Sequence, residues 1–367
     1  MPFSDWLKMI MLGFLVLGGL DHCLGNRFGL GEGFREGFMT LGSLSLAMIG
    51  MNTVSPLIAD GLSGILTPLF QAVGADPSMF AGVLLANDSG GYPLAMSLCK
   101  DAAVGRYAGA VVCSMMGVTM TFTIPFAFST VKTPEARRAL SRGLLIGIAT
   151  IPMGCIVSGL LAGLPVGVLF ANLLPLLACA AVLLVCLLRF PNGSIRVMSA
   201  FGRLLSVFLI LTLILAVVDH QLPGRLFSGK LTPFSESLAI VGDICIVLAG
   251  AFPMLKLLQK LLKCPLEKLG ARMGINACAV TGLFTTLVNS IPTFGSMEQM
   301  DARGRVLNAA FAVSAAFAFG DHLGFTAGVY PDYLLPMLAG KLLSALSALA
   351  LALLLTRKMP TAQEEIA

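Results

Sequence analysis

Runs of about twenty apolar residues, the length of helix that crosses the roughly 30 Å hydrocarbon core of a bilayer, recur along almost the whole chain. They fall near 6–25, 41–59, 78–97, 104–129, 142–163, 165–189, 201–219, 234–254, 273–296, 303–328 and 334–356. Inside a bilayer every backbone N–H and C=O must find its partner within the protein, which leaves helices as the reading for segments of this length. The expectation is an all-α, polytopic integral membrane protein with ten or eleven transmembrane helices. Composition agrees: 57% of the 367 residues are hydrophobic and 12% are charged, which excludes an ordinary soluble domain.

The formal charge of +5 sits in connecting loops, so it reports orientation in the membrane and not attraction to nucleic acid, for which no motif is present. Nine Cys are scattered singly and there are three His, so neither a zinc site nor a disulfide framework is indicated, and no cofactor is expected. The N-terminal stretch MPFSDWLKMIMLGFLVLGGLDH lacks a small-x-small cleavage site and reads as a retained first span.

The second half echoes the first. LDHCLGNRF at 20–28 returns as VDHQLPGRLF at 218–227, and SLAMIG at 45–50 as SLAIVG at 237–242. Pro56 and Pro68 are spaced as Pro253 and Pro265 are, LLANDSGGYPLAM is matched by LVNSIPTFGSMEQM, and Gly105-Arg106 by Gly304-Arg305. The ordered series predicts an internal duplication, the signature of secondary transporters whose sites lie where two repeats meet. The divisions are a first repeat over 1–164, a linking helix and loop over 165–200, a second repeat over 201–358 and a polar tail over 359–367. Three loops rich in Lys and Arg, near 132–142, 189–203 and 256–272, are expected to be cytoplasmic. Counting crossings between them sets both repeats the same way up, whereas one re-entrant segment counted as a span would make them inverted. Thr133-Pro134 reads as the capped start of a short cytoplasmic helix, and 255–268 as a helix lying in the membrane interface.

Two of the apolar runs are interrupted, and broken or re-entrant helices are expected at the centre. One carries Asn87, Asp88 and Ser89 before Gly90-Gly91; the other carries Asn289, Pro292 and Gly295. Irregular backbone at membrane depth persists only where it is packed in protein or lines a cavity. An ionised carboxylate there costs roughly 2.5–3.5 kcal/mol even on lenient scales, and such residues mark substrate or ion paths. Asp88, Asp321 and Asp243 are the candidates, with His322 as the base beside them. A cavity lined by these acids would take a cation, held by Asn87, Asn289 and Ser89 through hydrogen bonds and by aromatic faces such as Phe294 and Phe319. Structural alternatives stand beside these roles: Asp88 as the cap of the half-helix after the break, and Asp321-His322 as a buried pair. Asp21-His22 and Asp219-His220 read as polar anchors at helix ends.

LLANDSGGYPLAM, MMGVTMTFTIPFA at 115–127, ATIPMGC at 149–155 and NSIPTFGSMEQMDARGRVLNAAFAVSAAFAFGDHLGF at 289–325 resemble the ethanolamine-utilization membrane protein family, EutH, from about residue 38 to residue 356. The resemblance implies a multi-pass protein of the bacterial cytoplasmic (inner) membrane. It further implies a permease, not an enzyme, that takes up ethanolamine for a cytosolic ammonia-lyase housed in a microcompartment. Ser290 stands where some members carry a second Asn, and the loops after the first span and near residue 165 are shorter than in enterobacterial members. Partners expected are the small-molecule substrate and the lipid bilayer, with homo-oligomerisation left open. The other classes weighed are a channel or transport-complex subunit and an intramembrane aspartyl protease. The flanks of Asp321 and Asp88 lack the protease signature, and no Walker motif offers ATP as an energy source.

Overall fold

The computed structural model describes residues 3–222 and 230–359. In chain order its helices are α1 (Phe3–Cys23), α2 (Leu30–Gln71), α3 (Met79–Leu84), α4 (Gly91–Leu98), α5 (Ala102–Thr130), α6 (Pro134–Leu161), α7 (Val166–Arg189), α8 (Pro191–Gln221), α9 (Phe234–Met273), α10 (Ala277–Val288), α11 (Ile291–Gly295), α12 (Ala302–Ala315), α13 (Asp321–Val329) and α14 (Leu334–Leu355). Eight of them, α1, α2, α5 to α9 and α14, are long and apolar enough to cross a bilayer. Large apolar side chains point outward from them, as Leu204, Val207, Leu211 and Ile214 do from α8, forming the surface a polytopic membrane protein presents to lipid.

The apolar runs near 78–97 and 273–296 do not cross. Each folds back on itself, because a polar residue at its base ties its two ends together. At the first hairpin, Asp76 Oδ2 accepts the N–H groups of Lys100 and Asp101 at 2.9 and 3.0 Å. At the second, Asp301 Oδ1 accepts the Asn276 N–H at 2.8 Å, and Asn276 donates from Nδ2 to the Gln299 carbonyl at 3.0 Å. The bases lie on opposite faces of the membrane. Helix α5 begins beside the first, at Asp101, and ends near the second, where Glu298 accepts the N–H groups of Lys132 and Thr133.

With two runs folded back, the crossing count changes and the halves run in opposite senses. Helices α2 and α9, which carry the matched Pro56 and Pro253, pack antiparallel. The Lys256 ammonium lies 2.8 and 3.1 Å from Glu32 and Glu36 at one end, and the Thr232 N–H donates to the Thr53 carbonyl at the other. The same-way-up arrangement expected from the crossing count is thereby corrected. A third interruption divides the run near 303–328 into α12 and α13.

Other local expectations shift for physical reasons. Residues 134–161 form one continuous helix instead of a short cytoplasmic one. Pro134 occupies its first turn, but the Thr133 side chain makes no cap, its N–H going to Glu298. Residues 255–268 continue α9, and Lys256 docks on α2 instead of lying in the interface. The side chains of Lys263 and Lys268, residues 223–227 of the second VDHQLPGRLF-type match, and residues 360–367 of the tail lie outside the described residues. The Lys- and Arg-rich stretches at 132–142, 189–203 and 256–261 gather on one face, the one their charge excess leads us to expect on the cytoplasmic side.

Candidate functional site

The first hairpin descends through α3, runs extended at Leu85 and Ala86, makes a short turn over Asn87–Ser89, and returns as α4. Gly90 is in the left-handed region at φ 86°, and a Cβ there would collide with the Met51 side chain on α2, so only glycine suits this turn. Helix α4 starts without a side-chain cap, and the Asp88 carboxylate receives the Ser89 hydroxyl at 3.2 Å. Asp88 therefore does not cap this helix.

The second hairpin rises through α10 to an extended Asn289 and returns as α11. Asn289 Oδ1 accepts the Ile291 N–H at 2.8 Å, and the Thr293 hydroxyl donates to the Gly282 carbonyl at 2.9 Å, locking the short return onto α10. Between α12 and α13 the chain breaks at 316–320. The N–H groups of Phe317 and Phe319 are given to the carbonyls of Thr286 and Leu287 in the second hairpin, which meets the need for partners at membrane depth. Phe317 is held at φ 61°, a strained value for a bulky residue of the kind that clusters at functional sites. Facing the first hairpin, α5 is wound as a π-helix over Ala108–Gly117 and Thr119–Thr123, another feature frequent at such sites.

The two hairpin tips face one cavity. Ala86, Asp88 and Ser89 from one, and Val288, Asn289, Ile291 and Pro292 from the other, line a single cavity of about 680 Å³ with Asp321, Phe122 and Phe317. Its remaining walls run past Thr40 and Ser43 to Glu36, Lys256 and Gln259, so it opens toward the face that carries the Lys and Arg excess. Asp88 and Asp321, one from each half of the chain, lie within electrostatic reach of each other.

The structure thus brings Asp88, Ser89, Asn289, Asp321 and Pro292 together. Asn87 lies directly behind the tip, wholly buried, with neither polar atom of its side chain partnered among the described residues. Phe294 is buried against Phe126, and Phe319 packs in the core; neither lines the cavity, where the aromatic walls are Phe122, Phe252 and Phe317. Gly91 is buried in the first hairpin and Gly295 is exposed at the end of α11. Asp243 is exposed on α9 and lines a separate, smaller recess with Lys8 and Met11.

One base escaped the sequence reading. Lys341, in the middle of α14, is completely buried, and its ammonium donates to the Ser114 carbonyl at 2.5 Å and lies 3.0 Å from His322 Nδ1. It is also within electrostatic reach of Asp88. His322 is therefore not the only intramembrane base near the acids, and it pairs with Lys341 instead of Asp321. The signal was present in LLPMLAGKLLSALSALA, since an ionisable residue inside a span is itself a functional candidate.

Broken helices from two halves of an all-helical chain, lining one cavity that holds two acids, define a multi-pass membrane protein. The chain belongs to the EutH family: it matches the family described as "Ethanolamine utilisation protein, EutH" over residues 3–355. It is 43% identical over 360 residues, 98% of this chain and 96% of the relative, to the "Probable ethanolamine permease EutH" of Listeria monocytogenes. The Salmonella typhimurium protein of the same name is 38% identical over 400 residues, covering 99% of this chain and 98% of the relative. The Bacillus subtilis "Uncharacterized protein YxeR" is 38% identical over 365 residues, covering 100% and 98%. No solved structure matches the chain. It is a multi-pass protein of the bacterial cytoplasmic membrane.

Proposed function

We propose that the protein is a permease for ethanolamine, taken up as its cation and bound between the hairpin tips. The observation that carries this reading is the pair Asp88 and Asp321 lining one cavity, away from its mouth, contributed by separate halves of the chain. An ammonium bridging them relieves their mutual repulsion and restores part of the hydration that membrane depth removes. Phe122 and Phe317 offer aromatic faces to the same charge. Asn289 Oδ1 is engaged by Ile291, so its Nδ2 is the donor left for the substrate hydroxyl, and Ser89 can serve the same end.

The cavity opens to the cytoplasmic face, which makes this conformation the inward-facing one. On the other side, the Tyr92 and Phe325 rings meet edge to face at 5.5 Å and line a pocket of about 200 Å³ with Asn52, Ser97 and Glu236. Parting these rings while the inner opening closes would expose the same acids outward. Segments 1–164 and 201–358 are then an inverted pair derived by duplication, with 165–200 linking them. The relatives' name supports transport over catalysis. Two neighbouring intramembrane Asp also meet one geometric requirement of an aspartyl protease, but their flanking residues do not.

The test is uptake of labelled ethanolamine into proteoliposomes at acid and neutral pH, with and without imposed ion gradients. Protein-dependent uptake, saturable and strongest relative to lipid leak in acid, is expected. Uptake equal to that of protein-free vesicles contradicts the reading.

A further inference from the structure

Lys341 and His322 have no part in the binding scheme above, yet both are wholly buried, His322 with its ring 5.5 Å from that of the cavity-lining Phe317. A buried lysine ammonium is costly unless it is paired and hydrogen-bonded. The Ser114 carbonyl accepts one of its protons and His322 Nδ1 lies at 3.0 Å. Among the described residues, the titratable groups acting on this ammonium are Asp88 from the first hairpin, Cys155 from α6 and His322 from α13. Helices α1, α5 and α12 and the turn Pro331–Tyr333 with Asp332 and Tyr333, also packed on α14, bring no titratable group that acts on it; α5 supplies the Ser114 carbonyl, and the Ser314 hydroxyl of α12 is bonded to Ser344.

The contact between Lys341 and His322 serves two charge states. With the lysine as ammonium, Nζ donates to Nδ1 and the neutral imidazole carries its hydrogen on Nε2. With the lysine as amine, an Nδ1–H donates back to Nζ. His322 Nε2 is buried without a partner among the described residues, so one imidazole nitrogen faces the lysine and the other is uncommitted. That is the arrangement of a proton relay.

Resting on the uptake reading, we infer that Lys341 is the resident counter-charge of Asp88, and that the substrate ammonium replaces it by expelling one proton through His322. When the substrate cation pairs with Asp88 and Asp321, the Lys341 ammonium passes a proton to Nδ1, leaving an amine and an imidazolium. The imidazolium then loses its Nε2 proton to water on the side from which substrate came. On release at the other face Lys341 takes a proton back from that side. Each cycle moves one ethanolammonium inward and one proton outward, with no net charge crossing.

The experiment uses purified protein in proteoliposomes at mildly acidic pH, with labelled ethanolamine, an internal pH dye and protein-free vesicles for the leak. In wild type, an inside-negative potassium diffusion potential is expected to change accumulation less than about twofold, and the lumen to become alkaline as substrate enters. A carrier of the bare cation would instead accumulate about fifty-fold more at about 100 mV, the equivalent of about 2.3 kcal/mol per charge. That result overturns the exchange while leaving the uptake reading intact; absence of any protein-dependent flux overturns both. Lys341→Gln is expected to make the remaining uptake respond to potential and to abolish lumen alkalinisation. If Lys341→Gln transports without responding to potential, Lys341 is not the exchanging group. If it fails to insert, the wild-type potential response decides.

Discussion

Gly320 lies against the Val288 carbonyl so closely that a Cβ on it would overlap the oxygen. This approach seats the break between α12 and α13 on the tip of the second hairpin, where the Phe319 N–H donates to the Leu287 carbonyl at 2.8 Å. The obstacle is backbone, so no side-chain rotation can absorb it. Gly320→Ala is expected to destabilise the protein by about 1–3 kcal/mol, the usual range for overpacking, and to displace Asp321 beside it. Thermal unfolding in detergent reads the first effect and substrate binding the second; an unchanged midpoint with unchanged affinity would contradict the contact.

The hairpins make a topological prediction that a crossing helix would not. Val73 and Lys100 flank the first hairpin and share its base at Asp76, so Val73→Cys and Lys100→Cys, each in a background without native Cys, should both react with an impermeant thiol reagent from outside intact cells. Cys placed at 132–142 or at Gln299, around the base of the second hairpin, should be protected. Opposite labelling of positions 73 and 100 would restore a crossing at 78–97 and return the halves to the same orientation.

At that inner base, the N–H groups of Thr133 and Lys132 hold the Glu298 carboxyl below its usual range. A carboxylate whose pKa is lowered by folding adds stability above its unfolded pKa and loses that contribution as pH falls through the folded value. Glu298→Gln should therefore lower the unfolding temperature at neutral pH, and the difference from wild type should shrink on acidification below the ordinary carboxylate range. A difference that grows in acid would reverse the sign. Because Glu298 is exposed, the effect is expected to be small.

Asp243 tests how far charge alone identifies a binding residue. It stands where the first half carries Met51, and its sequence context promised a third acid for the cavity. The structure places it in a separate recess beside Lys8. Asp243→Asn is expected to change the half-saturation concentration for ethanolamine less than about twofold, well under the 1.4 kcal/mol that a tenfold change represents. A tenfold rise would return it to the binding path.

Much of this architecture was legible because membrane solvent leaves few choices. Apolar runs declare helices, Gly90-Gly91 and Pro292 declare breaks, and Asp88 and Asp321 declare a polar interior. What failed was direction. An apolar run of twenty residues looks the same whether it crosses or turns back at its middle, and only the pairing of its ends, Asp76 with Lys100 and Asn276 with Asp301, tells the two apart. Those pairs are separated by about 25 residues and carry no periodic signal. Aromatic positions failed for a related reason: Phe294 and Phe319 neighbour the polar residues in sequence, whereas the helix break turns Phe317 toward the cavity and packs Phe319 in the core. Lys341 was missed because its acidic neighbour, Asp88, lies in the other half of the chain.

The most direct measurement is equilibrium binding of ethanolamine to purified protein, wild type against Asp88→Asn, at a pH where the ligand is a cation. Losing a charge-assisted hydrogen bond typically costs about 1.5–3 kcal/mol, roughly one to two decades in affinity. The account predicts at least about a tenfold rise in Kd for Asp88→Asn with normal insertion, and partial recovery in Asp88→Glu, whose longer side chain fits the hairpin tip less well. Wild-type affinity in Asp88→Asn would mean that the carboxylate at the hairpin tip does not hold the substrate.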